Sequence, residues 1–319
     1  MGIKKEKSRY RDGVKILQSY GALIVLAILI IINCFMTKNF MNINTIWNLG
    51  TQSTTVIILA LGMTTVIATG GIDISVGSVM AVSAMILAKI LAEGYIPMAI
   101  LAGLATAVLC GLLSGSLVSC FRIQPMIVTL SMLFIMRGVA KLLNGGVFMD
   151  YKNPQFSNIA YIRVGGVIPI QFFLIGFLVV GMHILLNKTR FGVYVEAYGD
   201  NAMATKISGI NVVFVVTICY VICSVMAGIS GIFEAAVVTS ADPSNMGNTQ
   251  ELDAIAATVL GGTPISGGKP NVGGTVCGAL VLQLITMMVN MNNIPYAYAL
   301  VLKAAIIVLA IYTQRKSQK

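Results

Sequence analysis

Few residues in this chain could do chemistry, and one of them sits where it is costly. Asp73 lies in the apolar stretch 64–85, beside the pair Gly70-Gly71 and two residues before Ser75. A carboxylate at the centre of a bilayer helix costs roughly 2.5–3.5 kcal/mol on insertion scales. A chain that keeps one there, beside glycines that loosen the helix, points to a cavity or a broken helix on a transport path. Carboxylates and hydroxyls suit hydroxyl-rich solutes, because an ionised acid accepts strong hydrogen bonds from O–H donors. Asp73 could equally cap the helix that follows, by accepting from the N–H of Ser75 or Val76.

Other polar groups lie inside apolar runs. Lys303, well inside the last run, either snorkels or pairs with an acid such as Asp73, Glu251 or Asp253, and pairing is the expectation. Glu234 faces a cavity or a subunit interface. Asn290, Asn292 and Asn293 either cap a helix or meet a solute. Enzymatic readings find no support. The single histidine, His183, lies beside a long apolar run and has no partners for a triad or a metal site. The stretch Gly262 to Pro270 fails the phosphate-loop pattern twice, with Thr263 in place of a glycine and Pro270 in place of Ser/Thr. No cofactor is expected.

The elements that must position these groups are membrane helices. The chain has 319 residues, of which 57% are hydrophobic and only 10% charged, with a mean hydropathy of +0.89. Soluble domains carry about 25% charged residues, so the fold class is all-α, a polytopic membrane bundle. A lipid-crossing helix needs about 20 apolar residues. The candidate spans are 16–36, 46–69, 72–92, 96–120, 126–144, 168–187, 210–238, 251–264, 271–290 and 294–313. The eighth is short for a regular crossing. The organisation reads as a basic N-terminus over 1–15, one transmembrane domain over 16–313 and a tail over 314–319.

The net charge of +10 follows the positive-inside rule rather than nucleic-acid binding. Lys4, Lys5, Lys7, Arg9, Arg11 and Lys15 precede the first run, and Arg315, Lys316 and Lys319 follow the last. Both termini are then cytoplasmic, as is the segment 187–209 with Lys188, Arg190 and Lys206. The longest outer loop is 144–167, polar and aromatic. The six cysteines all lie in or beside apolar runs and read as free thiols. Gly70–Gly77 aligns without gaps on Gly261–Gly268, so each half carries a glycine-interrupted apolar segment, a pointer to a transport pathway. In the cytoplasmic segment, Asp200 or Asn201 can cap a short helix from Ala202 to Ser208 that Gly209 ends, as a solvated loop or a docking knob.

Four ordered stretches carry a resemblance: Gly70–Ser78; Gln124–Leu130 through Arg137-Gly138; Glu196–Asn201 through Ser208–Ile210; and Glu251–Thr263 through Gly267-Gly268. From about residue 50 to 312 the chain resembles the permease subunits of bacterial ribose-type sugar ABC importers, with ribose and galactofuranose permeases nearest. Pro270 departs from the usual pattern of the inner loop. The resemblance implies about ten helices similar to vitamin B12-type importer permeases. It implies a cytoplasmic ABC ATPase, an extracytoplasmic solute-binding protein and a second permease copy or related permease as partners, besides the bilayer. The residues themselves place the expected path past Asp73, Ser75, Gly70, Gly71, Gly261, Gly262, Asn290 and Lys303. Glu196, Ala197, Gly199, Asp200, Asn201, Ala204, Ser208 and Gly209 are then expected to meet the ATPase. Branched-chain amino acid or nucleoside transport, or a secondary transporter using Asp73 as a cation site, are the alternatives.

Overall fold

A computed structural model describes residues 21–317. The basic N-terminus and the start of the first span, up to residue 20, lie outside the described residues, as does Lys319. The helices are α1 (Gly21–Met36), α2 (Ile43–Ala68), α3 (Val76–Leu91), α4 (Ile96–Ser119), α5 (Pro125–Leu142), α6 (Pro154–Ile159), α7 (Ile170–Lys188), α8 (Arg190–Asp200), α9 (Ala202–Ile207), α10 (Val212–Val238), α11 (Gln250–Leu260), α12 (Val272–Met291) and α13 (Tyr296–Ser317). Six of them, α2, α4, α5, α7, α10 and α12, are long and apolar enough to cross a membrane, and α1, α3 and the described part of α13 are shorter apolar helices. The protein is therefore an all-α, multi-pass membrane protein. Each candidate stretch in the sequence overlaps one of these helices, but among the described residues six rather than ten are long and apolar enough to cross, and α11 has only 11 residues.

Local chemistry sets the helix starts. Asn42, Asn201, Asn211 and Asn271 each precede a helix and accept a backbone N–H of its first turn. Pro97 and Pro125 open α4 and α5, where a missing N–H costs nothing. Hydroxyls buried inside α2 are satisfied by its own carbonyls: Thr54 donates to Gly50 at 2.9 Å and Thr64 to Ala60 at 2.8 Å. In lipid, such back-bonding removes the cost of an unpaired donor.

The helix α2 is the hub, packed against α7, α10, α11 and α12, while α10 also packs on α3 and α4. Polar cross-links tie the hub at one end of the bundle: Thr65 donates to the Cys219 carbonyl of α10 at 3.0 Å, and Thr64 shares a hydrogen bond with Thr275 of α12 at 2.9 Å. A smaller apolar cluster joins α1, α12 and α13 through Val281, Ile285, Val289 and Ala299, with Val25, Leu26 and Leu29 against it. All six cysteines are free thiols.

Helices α4 and α10 meet backbone to backbone. Gly103, Ala107, Gly111 and Gly115 recur at every fourth position of α4 and form one stripe. A Cβ on Gly111 would lie 2.6 Å from the Cα of Val221, one on Gly115 2.8 Å from the Cα of Thr217, and one on Gly228 2.6 Å from the Cβ of Ala107. Lipid supplies no hydrophobic force between helices, so this closeness stabilises the pair through dispersion.

At the other end of the bundle the segment between α5 and α7 is folded. It holds α6, a short antiparallel pair of β2 (Arg163–Val164) with β3 (Ile168–Pro169), and strand β1 (Met149–Asp150), which pairs with β4 (Ser240–Ala241) after α10. Tyr151 and Tyr161 pin it down by donating to the carbonyls of Ala235 at 2.8 Å and Val237 at 2.7 Å.

Gly111→Leu is expected to destabilise the protein by about 1–3 kcal/mol through overpacking, because the opposing atoms are backbone. Leu109→Ala, on the exposed side of the same helix, serves as the control and should stay within about 0.5 kcal/mol. Thermal aggregation midpoints in detergent measure both. Equal midpoints would remove the stripe as a packing determinant.

Candidate functional site

The break between α2 and α3 comes first, because it carries Asp73. After Ala68 the chain turns at Gly70, whose φ of +75° favours glycine. The Oδ1 of Asp73 accepts from the backbone N–H of Ser75 at 2.9 Å and from its hydroxyl at 2.6 Å. Ser75 is the residue before α3 and makes no side-chain cap of its own. Asp73 thus organises the start of α3, the capping role weighed from the sequence. Asp73 and Ser75 are fully buried. Among the described residues, Asp73 Oδ2 and the buried Tyr220 hydroxyl have no hydrogen-bond partner. The Tyr220 hydroxyl lies 2.7 Å from where a Cβ of Gly71 would stand. From α5, Thr129 donates to the carbonyl of Ile72 at 3.2 Å.

The second glycine break lies directly against the first. The N–H of Gly268 donates to the Ala68 carbonyl at 2.9 Å. A Cβ on Gly70 would lie 3.2 Å from the Ser266 carbonyl oxygen, and one on Gly267 would lie 3.0 Å from the N of Gly70. A third element joins them. Gly199, in the last turn of α8, has its Cα 2.9 Å from the place of a Gly267 Cβ, and Asp200 Oδ1 lies 2.8 Å from that of Gly268. Gly261 abuts Gly274 of α12, and its carbonyl accepts from Asn271 Nδ2 at 2.8 Å. Gly262 takes a φ of +94°. Gly70, Gly71, Gly199, Asp200, Gly261 and Gly262 therefore belong to one region.

From this region α9 projects. Asn201 caps it by accepting from the N–H of Ala204 at 3.0 Å, and Gly209 follows its end with a φ of +82°. Ala204, Ser208 and Gly209 are exposed, and so are the apolar side chains of Met203 and Ile207. Glu196 and Ala197 lie in α8 and are half-buried. The sequence anticipated α9; it did not anticipate that α8 is a regular helix leading into it.

A cavity of about 350 Å³ lies elsewhere, among α2, α10, α11, α12 and α13. Its walls carry Thr51, Gln52, Thr55, Glu234, Asn248, Thr249, Gln250, Asp253, Gln283, Thr286, Tyr296 and Lys303, with Val56, Phe233 and Val237 as the apolar part. One ion pair lies in its wall. Lys303 Nζ donates to both oxygens of Asp253, at 2.8 and 3.1 Å, and the two side chains are 6% and 21% exposed. Gln250 donates to Glu234 at 3.0 Å, and Gln283 to Gln52 at 3.2 Å. The wall offers amides and hydroxyls beside one ion pair and the Glu234 carboxyl, whose partner is the neutral Gln250 amide. The volume falls within the usual range of small-ligand sites, about 300–1,000 Å³.

Of the path residues named from the sequence, Lys303 lines this cavity. Asp73, Ser75, Gly70, Gly71, Gly261 and Gly262 do not, and Asn290 lies exposed near the end of α12. Lys303 meets Asp253, one of the three partners considered for it. His183 is exposed on α7, its Nδ1 3.2 Å from Asn187 Nδ2. Sequence reasoning passed over Gln52, Gln250 and Gln283. For Gln52 and Gln283 the signal was available, since an amide inside an apolar span needs a partner just as a charge does, whereas Gln250 stands just before the span 251–264. Among the described residues no group of His, Cys, Asp or Glu could hold a metal ion.

One wall of the cavity is a loop rather than a helix, residues 239–249. Arg137 of α5 reaches it and donates through one nitrogen to the carbonyls of Met246 at 2.8 Å and Pro243 at 3.2 Å. Asp242 organises the loop from within, accepting from the N–H groups of Ser244 at 2.8 Å and Asn245 at 3.1 Å. Partial burial pushes its carboxyl up, but the bonds from Asn245 and Ser244, with the Arg137 charge, outweigh that and hold it below the usual range.

The family model for the branched-chain amino acid transport system / permease component matches residues 45–311. The ribose import permease protein RbsC of Escherichia coli (strain K12) is 36% identical over 306 residues, 95% of this chain and 95% of its own. The galactofuranose transporter permease protein YtfT of the same organism is 37% identical over 265 residues, 82% of this chain and 77% of its own. The fructose import permease protein FruF of Bifidobacterium longum (strain NCC 2705) is 35% identical over 260 residues, 78% of this chain and 73% of its own. No solved structure matches. Matched over most of its length, and built of apolar helices around a polar cavity, the chain belongs to the branched-chain amino acid transport system / permease component family.

Proposed function

We propose that this chain is the membrane-spanning permease subunit of an ATP-driven ABC importer for a monosaccharide, a pentose or hexose such as ribose or galactofuranose. The carrying observation is the cavity, where the lining cation Lys303 is spent on Asp253 and most remaining polar groups are amides and hydroxyls. A neutral polyol matches that chemistry. The carboxylate of a zwitterionic amino acid would find no free cation in that lining, because Lys303 is held by Asp253. The names of the sugar-permease relatives support the same class, whereas the description of the family favours amino acids and supplies the second reading.

In this reading α1, α2, α3, α4, α5, α7, α10, α11, α12 and α13 make ten membrane segments, arranged as in vitamin B12-type permeases, in the bacterial inner membrane with both termini inside. The segment 187–209 then faces the cytoplasm, and a separate ATPase subunit grips α8 and α9. Its nucleotide cycle moves Gly199 and Asp200, and with them both glycine breaks. A solute-binding protein docks outside on the segment 144–167, and a second permease copy or relative completes the path. Gly70, Gly71, Gly261 and Gly262 make the inner hinge of the path, Asp73 and Ser75 hold α3 in register there, Lys303 lines the cavity, and Asn290 lies near its outer mouth. This subunit forms and breaks no covalent bond; hydrolysis belongs to the partner.

Proteoliposomes carrying this chain with its ATPase and binding protein should accumulate radiolabelled monosaccharide only with ATP inside the ATPase-facing compartment. Uptake of leucine in place of sugar would favour the second reading, and uptake driven by a proton gradient without ATP would overturn the importer itself. Lys303→Met strands the Asp253 charge and should cost roughly 3–5 kcal/mol of stability. Adding Asp253→Leu should recover stability in thermal assays and leave uptake impaired. Full uptake in that double variant would take the ion pair out of the path. Asp73→Asn should insert normally yet lower uptake, and unchanged uptake would reduce Asp73 to a cap. Ala204→Trp on the exposed face of α9 should abolish co-purification of the ATPase while the permease stays folded.

A further inference from the structure

We infer that Arg137, which lies outside the cavity, is a positioning residue that sets the Asn248–Gln250 wall by latching the loop 239–249, with Thr239 and Thr249 as its two hinges. The inference rests on reading the cavity as the solute path. Four observations carry it. Arg137 spends one nitrogen on two loop carbonyls, those of Pro243 and Met246, so a single side chain fixes the loop's middle. Gly247 lies backbone to backbone on Gly77 of α3, where a Gly247 Cβ would stand 2.9 Å from the Cα of Gly77, so the loop is seated as well as latched.

The two ends of the loop are strained. Thr239 closes α10 with a φ of +62° and Thr249 opens α11 with a φ of +65°. A β-branched residue in the left-handed region is a genuine outlier and persists only where its surroundings hold it. Here the holding groups are the latch and the seat. Asn248, Thr249 and Gln250 are the cavity residues that follow directly from this loop. Released from Arg137, the loop can relax both threonines to negative φ, and the wall leaves its place. Strand β4, at the loop's start, pairs with β1 of the segment 144–167, Met149 opposite Ala241. A partner seated on that segment therefore pulls on the same loop, so the latch is the point where outer docking acts on the cavity.

The test is thiol accessibility at the wall. Gln250→Cys, at a half-buried position of the wall, is placed in a background lacking the exposed Cys34 and Cys120, reconstituted without ATPase, binding protein or solute, and labelled with a membrane-impermeant maleimide. Arg137→Gln should raise the labelling rate roughly fivefold or more, and Arg137→Lys should restore part of the original rate, since an ammonium can still donate to both carbonyls. Thr239→Gly removes strain from the latched form and should slow labelling by about fivefold. It also serves as the deciding variant if Arg137→Gln fails to purify as a folded protein. Equal rates in the Thr239 and Arg137 variants would overturn the inference. Normal sugar uptake with equal labelling rejects the latch alone. Failed sugar uptake by the unsubstituted importer, assayed separately with its ATPase and binding protein, together with shifted labelling in the variants, rejects the substrate reading and keeps the latch.

Discussion

The constraint on which the structure depends is that hydrocarbon accepts no hydrogen bonds. Any interruption of a helix inside the bundle must be satisfied by protein, and here two interruptions satisfy each other. The N–H of Gly268 meets the carbonyl of Ala68, and the two glycine turns are pressed so closely that neither tolerates a side chain. The same economy explains Thr54 and Thr64 bonding back within α2, and Asp73 closing the start of α3 with Ser75. Where this economy is relaxed, polar groups gather around a cavity and pair there, as Lys303 does with Asp253.

This arrangement gives the molecule a mechanical connection between its proposed docking surface and its breaks. Gly199 and Asp200 belong to α8, yet they stand against Gly267 and Gly268. A push on α9 reaches both breaks with no flexible side chain between. Packed backbone transmits small displacements because it cannot absorb them. At the opposite end, Arg137, the pair of β1 with β4 and the two strained threonines form a comparable connection toward the cavity wall.

Much of this was legible in the sequence. The apolar helices read from run length, though not which of them cross, the broken helix read from Gly70-Gly71 with Asp73, the small helix α9 read from Asn201 and Gly209, and the pairing of Lys303 read from its distance to either interface. Spatial convergence was less legible. The echo of Gly70–Gly77 in Gly261–Gly268 pointed to a glycine-interrupted segment in each half, but similarity does not say that two segments touch. The cavity was missed because Gln52, Gln250 and Gln283 are ordinary residues until three helices bring them together. The stripe on α4 was missed because alanine and glycine in an apolar run look like mere hydrophobicity. Its four-residue spacing becomes meaningful only when α10 lies opposite.

That stripe bears on how the protein can move. Two helices whose main chains touch along several turns cannot slide or roll against each other without collision, and they bend less together than either would alone. The pair α4 and α10 therefore behaves as a single strut. Any rearrangement of the bundle carries the two helices together, because their main chains leave no room to shear.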